Sequence, residues 1–149
     1  MDGFKLTTPI TIRYKDLDSL GHVNNAVYAT YMEMGRAHYF HDVLGVRDAG
    51  EYDFVIAHLE VDFVAPLLLF DRVAAGTRVH EVGRTSFSFE YRIERGGALA
   101  ATGRSVQVFI DPATHRKKPV PDAFLERVNR FENRSFTRNA PIRTGESPC

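Results

Sequence analysis

Two aspartates two residues apart, Asp16 and Asp18, are followed by Gly21, His22, Asn24 and Asn25. Carboxylate, imidazole and amide groups in so short a span are the residue types of acyl transfer. Such a site needs a group that attacks the carbonyl or activates water. It also needs donors aimed at the carbonyl oxygen as that atom becomes negative. An aspartate can meet the first need. Asn is a preferred N-cap, so a helix opening at Asn24 or Asn25 would supply the second through its free amides and partial positive charge. Gly21 permits a tight turn between the two parts, because without a Cβ it takes positive φ at little cost. The same residues would equally suit an Asp and Asn pair that only caps a helix after a loop.

The elements around this stretch can be read from periodicity. Thr8–Tyr14 is β-branched and weakly alternating, which predicts a first strand. A helix is expected from about Asn25 to His41. Val27, Tyr28, Tyr31, Met32, Met34, Gly35 and Tyr39 fall on one broad arc, and Asn25, Thr30, Glu33, Arg36 and His41 lie mainly on the other. So wide an apolar face suits a helix cradled by a concave sheet. Leu44–Asp53 reads as a connector. Strands follow at Val55–Val64, Arg72–Val82, Thr85–Ile93 and Ala98–Ile110, with a hairpin turn at Gly96–Gly97. Asp111–Pro119 is a turn and a short basic loop, and Pro121 or Asp122 can start a final helix through about Phe131. The expected fold is an α+β domain over residues 1–133, a long helix wrapped by a curved antiparallel sheet of about five strands. A polar tail covers residues 134–149.

The motif Asp18-x-x-x-His22-Val23-Asn24-Asn25-x-x-Tyr28-x-x-Tyr31-x-Glu33 resembles hot-dog fold thioesterases of the 4-hydroxybenzoyl-CoA thioesterase type. Glu60-Val-Asp62-Phe63-x-x-Pro66, Gly83-Arg84-Thr85-Ser86-Phe87 and the late basic turn resemble further parts of that family, in the right order. The resemblance covers roughly residues 8–130. It implies hydrolysis of an acyl-CoA, with Asp18 as nucleophile or general base and the Asn25 backbone amide binding the thioester carbonyl. It also implies a site between two subunits whose sheets join edge to edge, hence a homodimer or a dimer of dimers. Two departures matter: Ser19-Leu20-Gly21 replaces the Pro-Ala-Gly of the aromatic-acyl members, and Leu20 replaces an Asn of the plant acyl-carrier-protein thioesterases.

Other residues carry two readings each. His22 could orient the acyl group or stabilise the turn. Glu33 could position water from two turns into the helix, or pair with Arg36 at i, i+3. Arg84, Arg116, Lys117 and Lys118 could hold the phosphates of coenzyme A or form a solvated turn. The substrate contacts expected are Tyr28, Asp62, Phe63, Arg84, Thr85, Ser86, Arg116 and Lys117. His58, Glu60 and Asp62 share a strand face but spread over about 13 Å, too far for one ion, so no metal and no cofactor are expected.

Composition narrows the classes further. The chain has 149 residues, 44% hydrophobic and 26% charged, enough for one domain with a core. Lys+Arg and Asp+Glu are both 19, giving no support for nucleic acid or an anionic membrane as partner. The one cysteine, Cys149, can form neither an internal disulfide nor a thiolate zinc cluster. No apolar run resembles a signal peptide or a membrane span, so a cytoplasmic protein is the simplest expectation. Two rivals to hydrolysis remain: an acyl-thioester dehydratase of the same fold, and a non-catalytic acyl-CoA binding module.

Overall fold

The computed structural model describes residues 1–139 and residue 142. The elements run β1 (Leu6–Ile10), α1 (Asn25–Asp42), β2 (Phe54–Phe63), β3 (Val73–Val82), β4 (Ser86–Arg95), β5 (Ala98–Phe109) and α2 (Asp122–Glu132). The five strands form one curved sheet in the order β1-β3-β4-β5-β2, antiparallel at every pairing. Both α1 and α2 lie on one face of it. The expected α+β wrap is what the chain adopts.

Alternation in β4 builds the core. Phe87, Phe89, Tyr91 and Ile93 point one way and are fully buried beneath α1. From α1, Tyr28, Tyr31, Met32, Gly35, Arg36, Tyr39 and Phe40 face the sheet. A Cβ on Gly35 would collide with Thr77 Oγ1 of β3, so glycine lets helix and sheet approach closely here. At the far end of α1 the core becomes aromatic: Phe40 stacks on Phe54 at 4.8 Å, and Phe87 meets Phe124 of α2 at 4.5 Å between ring centres.

Three expectations are corrected. The first strand is Leu6–Ile10, not Thr8–Tyr14, because Asp16 accepts the Arg13 amide (2.9 Å) and turns Tyr14–Asp16 into a short 3₁₀ turn. Arg36, placed on the outer arc of α1, is buried. Its guanidinium donates to the Tyr91 hydroxyl (3.2 Å), which shares a hydrogen with Ser105 Oγ (2.6 Å). Met34, placed on the inner arc, is exposed. Strand β2 is the outer strand beside β5, and Ile56, Leu59 and Phe63 of it remain exposed on the helix side. Of the polar tail, Phe136 is held by both the side-chain amide and carbonyl of Asn129, and Arg138 donates to the Val120 carbonyl. Residues 140, 141 and 143–149, including Cys149, lie outside the described residues.

Candidate active site

The site forms where the loop after the 3₁₀ turn meets the first turn of α1. Gly21 takes φ 77°, closing a turn in which the Asp18 amide donates to the His22 carbonyl (2.7 Å) and the Gly21 amide donates back to the Asp18 carbonyl (3.1 Å). The Asp18 carboxylate accepts the amides of Leu20 (2.9 Å) and His22 (3.2 Å) through Oδ1. Its Oδ2 has no partner among the described residues. Asn24 is the N-cap: its side chain accepts the Ala26 amide at 2.9 Å. The next amide, that of Asn25, is unengaged within the described residues and begins the helix.

Below this loop sits Asp16, 1% exposed. Its carboxylate accepts the Arg13 amide, two Arg13 guanidinium donors and the Tyr31 hydroxyl at 3.0 Å, while its carbonyl accepts the Asn24 amide at 2.8 Å. Burial pushes the Asp16 carboxyl up, but the Arg13 and Tyr31 hydrogen bonds outweigh it and hold the group below the usual carboxylate value. Tyr31 is shifted up by burial and by the Asp16 charge. Asp16 is thus a tie between loop and helix, and its side chain is already fully occupied.

Asp18, His22, Asn25 and Tyr28 line one open cavity of about 250 Å³ together with Val23, Phe63, Val64, Ala65 and Pro66. The far wall is the segment after β2. It is fixed by the Val23 amide on the Leu67 carbonyl (2.9 Å) and by a bridge between His22 and Leu68. Tyr28 packs edge-on against Phe63 at 5.0 Å. A carboxylate, an imidazole and a free helix amide therefore share a cavity walled by apolar groups. The chemistry open to it is attack on, or hydration of, a polarised carbonyl.

The other residues singled out lie elsewhere. Glu33 does not line the cavity. It sits about 12 Å along the helix from Asn25, and its carboxylate is 3.9 Å from the Arg36 guanidinium. Asp62 faces the opposite side of the sheet, beside Glu60, His80 and Arg104. Arg84, Thr85, Ser86, Arg116 and Lys117 gather at the other end of the sheet, where Ser86 pairs with Val108, the Phe109 amide meets the Thr85 carbonyl, and Ile110 bridges Lys117. That end is about 30 Å of strand from Phe63. The pattern missed the wall at Val64–Ala65 because those residues have no reactive groups. Pro66, which ends the strand, was the one signal for it. No helix among the described residues is long and apolar enough to cross a membrane.

The sequence pattern of the Thioesterase-like superfamily matches residues 12–128, most of the chain. The chain belongs to that superfamily. A solved thioesterase from Thermus thermophilus, complexed with coenzyme A and Zn, is 40% identical and superposes with a TM-score of 0.83, covering 90% of this chain and 98% of that one. The acyl-CoA thioester hydrolase YbgC of Escherichia coli O6:H1 is 25% identical over 121 residues, 78% of this chain and 90% of the relative. The chloroplastic acyl-acyl carrier protein thioesterase ATL2 of Arabidopsis thaliana is 36% identical over 87 residues, 54% of this chain. This chain spans only 45% of that relative's length. The hot-dog fold expected from the motif is the fold of the superfamily and of this chain.

Proposed function

We propose that the chain hydrolyses an acyl-CoA to the free acid and coenzyme A, with Asp18 and the Asn25 amide as its reacting pair. Superfamily membership and the relatives named above support thioesterase activity on acyl-CoA-type substrates. One observation carries the finer reading: the Asp18 carboxylate and the unengaged Asn25 amide line the same cavity. With the thioester carbonyl oxygen on that amide, the free Oδ2 of Asp18 attacks the carbonyl carbon or takes a proton from attacking water. The amide and the positive end of α1 stabilise the oxyanion. The thiolate leaves without needing a proton, since thiols of this kind have a pKa near 8.5. His22 and Tyr28 border the carbonyl, and Phe63 offers an apolar wall to the acyl group. Glu33, remote from the cavity, has no reacting role in this scheme.

The active unit is a dimer through β2. That strand is outermost and exposes Val55, Ile56, Leu59 and Phe63, a surface that invites pairing with a second copy. Two-fold antiparallel pairing brings the Phe54 end of one β2 beside the Phe63 end of the other. The basic end of one subunit then adjoins the Asp18 cavity of its partner, which supports Arg84, Arg116 and Lys117 as phosphate contacts despite their distance from Asp18 within one chain.

Thiol release across a chain-length and aromatic series of acyl-CoAs, with Asp18→Asn alongside, tests the reading. The expected result is cleavage of at least one member, reduced about a hundredfold or more in the variant. Unchanged activity in Asp18→Asn removes Asp18 from the chemistry. Cleavage of acyl-carrier-protein thioesters alone would move the carrier assignment to that of ATL2.

A further inference from the structure

Arg36 is the one charged residue of α1 that is buried against the sheet, 6% exposed. Its guanidinium leads into a series of uncharged groups: the Tyr91 hydroxyl, then Ser105 Oγ, then the Gln107 side-chain amide, which donates to that oxygen. All three residues are fully buried, and burial pushes the Tyr91 hydroxyl above its ordinary value, so none of them supplies an anion. Gln107 Oε1 has no partner among the described residues. Beyond its contact with Tyr91, the guanidinium makes no hydrogen bond among the described residues. The nearest carboxylate is that of Glu33, at 3.9 Å, with a side chain 73% exposed. That distance is beyond hydrogen-bond reach, and so loose a pair with one partner in water contributes little. A buried guanidinium without a close anion is costly. The fold holds a cation here and leaves it poorly neutralised.

This cation lies alongside a line of apolar groups that begins in the Asp18 cavity. Phe63 lines that cavity, and Leu59 and Ile56 follow it along the helix side of β2, all three exposed. Across the β2–β5 ladder Leu59 pairs with Ser105 and Ile56 with Gln107, so the Arg36 network is level with the middle of that line. Two measures give its distance from the reacting end. Along β2, Phe63 to Leu59 is a rise of about 13 Å. Along α1, Asn25 to Arg36 is a rise of about 16 Å, and a long helical side chain leans back toward the N-terminus by part of that. Both lengths suit an extended acyl chain of about eight to ten carbons, given zigzag bonds of about 1.5 Å.

We propose that Arg36 binds the far carboxylate of an acyl group, which makes the preferred substrates thioesters of medium-length α,ω-dicarboxylic acids. This rests on the reading of the chain as an acyl-CoA thioesterase and deepens it by naming the acyl class. The methylene chain lies along Phe63 and Leu59, and its terminal carboxylate takes the place of Glu33 on the guanidinium. Glu33 is exposed enough to swing aside. The planar fork of a guanidinium matches a carboxylate with two parallel donors, and the Tyr91 hydroxyl fixes its orientation. A plain fatty acyl group of the same length would set its methyl end against a buried charge.

The test is binding of two coenzyme A thioethers that cannot be hydrolysed, S-octyl and S-(7-carboxyheptyl), to the full chain by calorimetry. Wild type is expected to bind the carboxylate-bearing ligand at least about tenfold more tightly. Arg36→Met should abolish the difference, and Arg36→Lys, which keeps the charge without the fork, should recover part of it. Glu33→Gln removes the competing anion at an exposed position. It should widen the wild-type difference about threefold and leave S-octyl affinity unchanged. The wild-type comparison and Glu33→Gln carry the test if the Arg36 variants do not fold. In kinetics, kcat/KM for suberoyl-CoA over octanoyl-CoA should follow the same order, with the loss in Arg36→Met falling on KM. Equal affinity of wild type for the two thioethers, or a preference that survives Arg36→Met, overturns the assignment and leaves Arg36 a strut between helix and sheet. Preference for the carboxylate without hydrolysis of any thioester upholds Arg36 and defeats the proposed activity. Asp18-dependent hydrolysis that favours octanoyl-CoA over suberoyl-CoA does the reverse.

Discussion

Tyr39 donates its hydroxyl to the Glu132 carboxylate at 2.7 Å, joining the last turn of α1 to the last residue of α2 across 93 positions of sequence. The same oxygen of Glu132 accepts the Val79 amide of β3 at 3.1 Å. One carboxylate thus ties both helices to the sheet in a buried setting, where hydrogen bonds to a charged group are worth about 1.5–3 kcal/mol. Tyr39→Phe is expected to lower unfolding free energy by about that amount. Urea denaturation with an unchanged m-value, and activity per folded molecule equal to wild type, is the result that checks it.

Gly35 and Thr77 form a second coupled pair. Gly35→Ala should destabilise by about 1–3 kcal/mol through overpacking against Thr77 Oγ1. Thr77→Ala removes the obstructing oxygen, which is buried and has no partner among the described residues, so that change alone should cost little. Combining the two should recover most of the loss. A double-mutant cycle with no coupling would show that the helix had shifted instead.

The Asn25 amide, not its side chain, is the donor in the proposed mechanism. Proline at the first helical position deletes that donor while suiting the local backbone. Asn25→Pro should therefore reduce kcat about a hundredfold with circular dichroism unchanged. Asn25→Ala keeps the amide and should lose far less. Equal losses in the two would return the role to the side chain.

Asp16 sets a pH limit on the fold. Its carboxyl is held below the ordinary value of 3.8, chiefly by Arg13 and Tyr31 working against burial. A depressed folded-state value means that the ionised group contributes stability above pH 3.8, lost as pH falls through the lower folded-state value. Thermal melts of wild type and Asp16→Asn should differ at neutral pH and converge in strong acid. A constant gap across that range would count against an ionised Asp16.

Much of the architecture was legible because it is written locally. The Asn24 cap, the Gly21 turn and the alternation of β4 each follow from side-chain chemistry within a few residues. Arg36 was misplaced because its partner Tyr91 lies 55 positions away, and no helical wheel reports a distant hydroxyl. The first strand was read too late because the Arg13–Asp16 contact, short though it is, turns the chain against its β propensity. Asp62 and Phe63 could not both border Asp18, since neighbours in a strand face opposite ways. Period two alone carried that distinction. The separation of the basic turn from Asp18 depends on sheet order, which a single sequence does not display.

The exposed edge of β2 has a consequence for inheritance of activity between chains. If each reaction centre draws its carboxylate from one polypeptide and its cations from another, two defective proteins can complement. Mixing an Asp18→Asn chain with an Arg116→Ala/Lys117→Ala chain, after reversible dissociation, gives hybrids that hold one intact centre and one doubly damaged centre. With random reassortment, and with acyl-CoA well below KM, about a quarter of the wild-type rate should return, more than either parent gives alone under the same conditions.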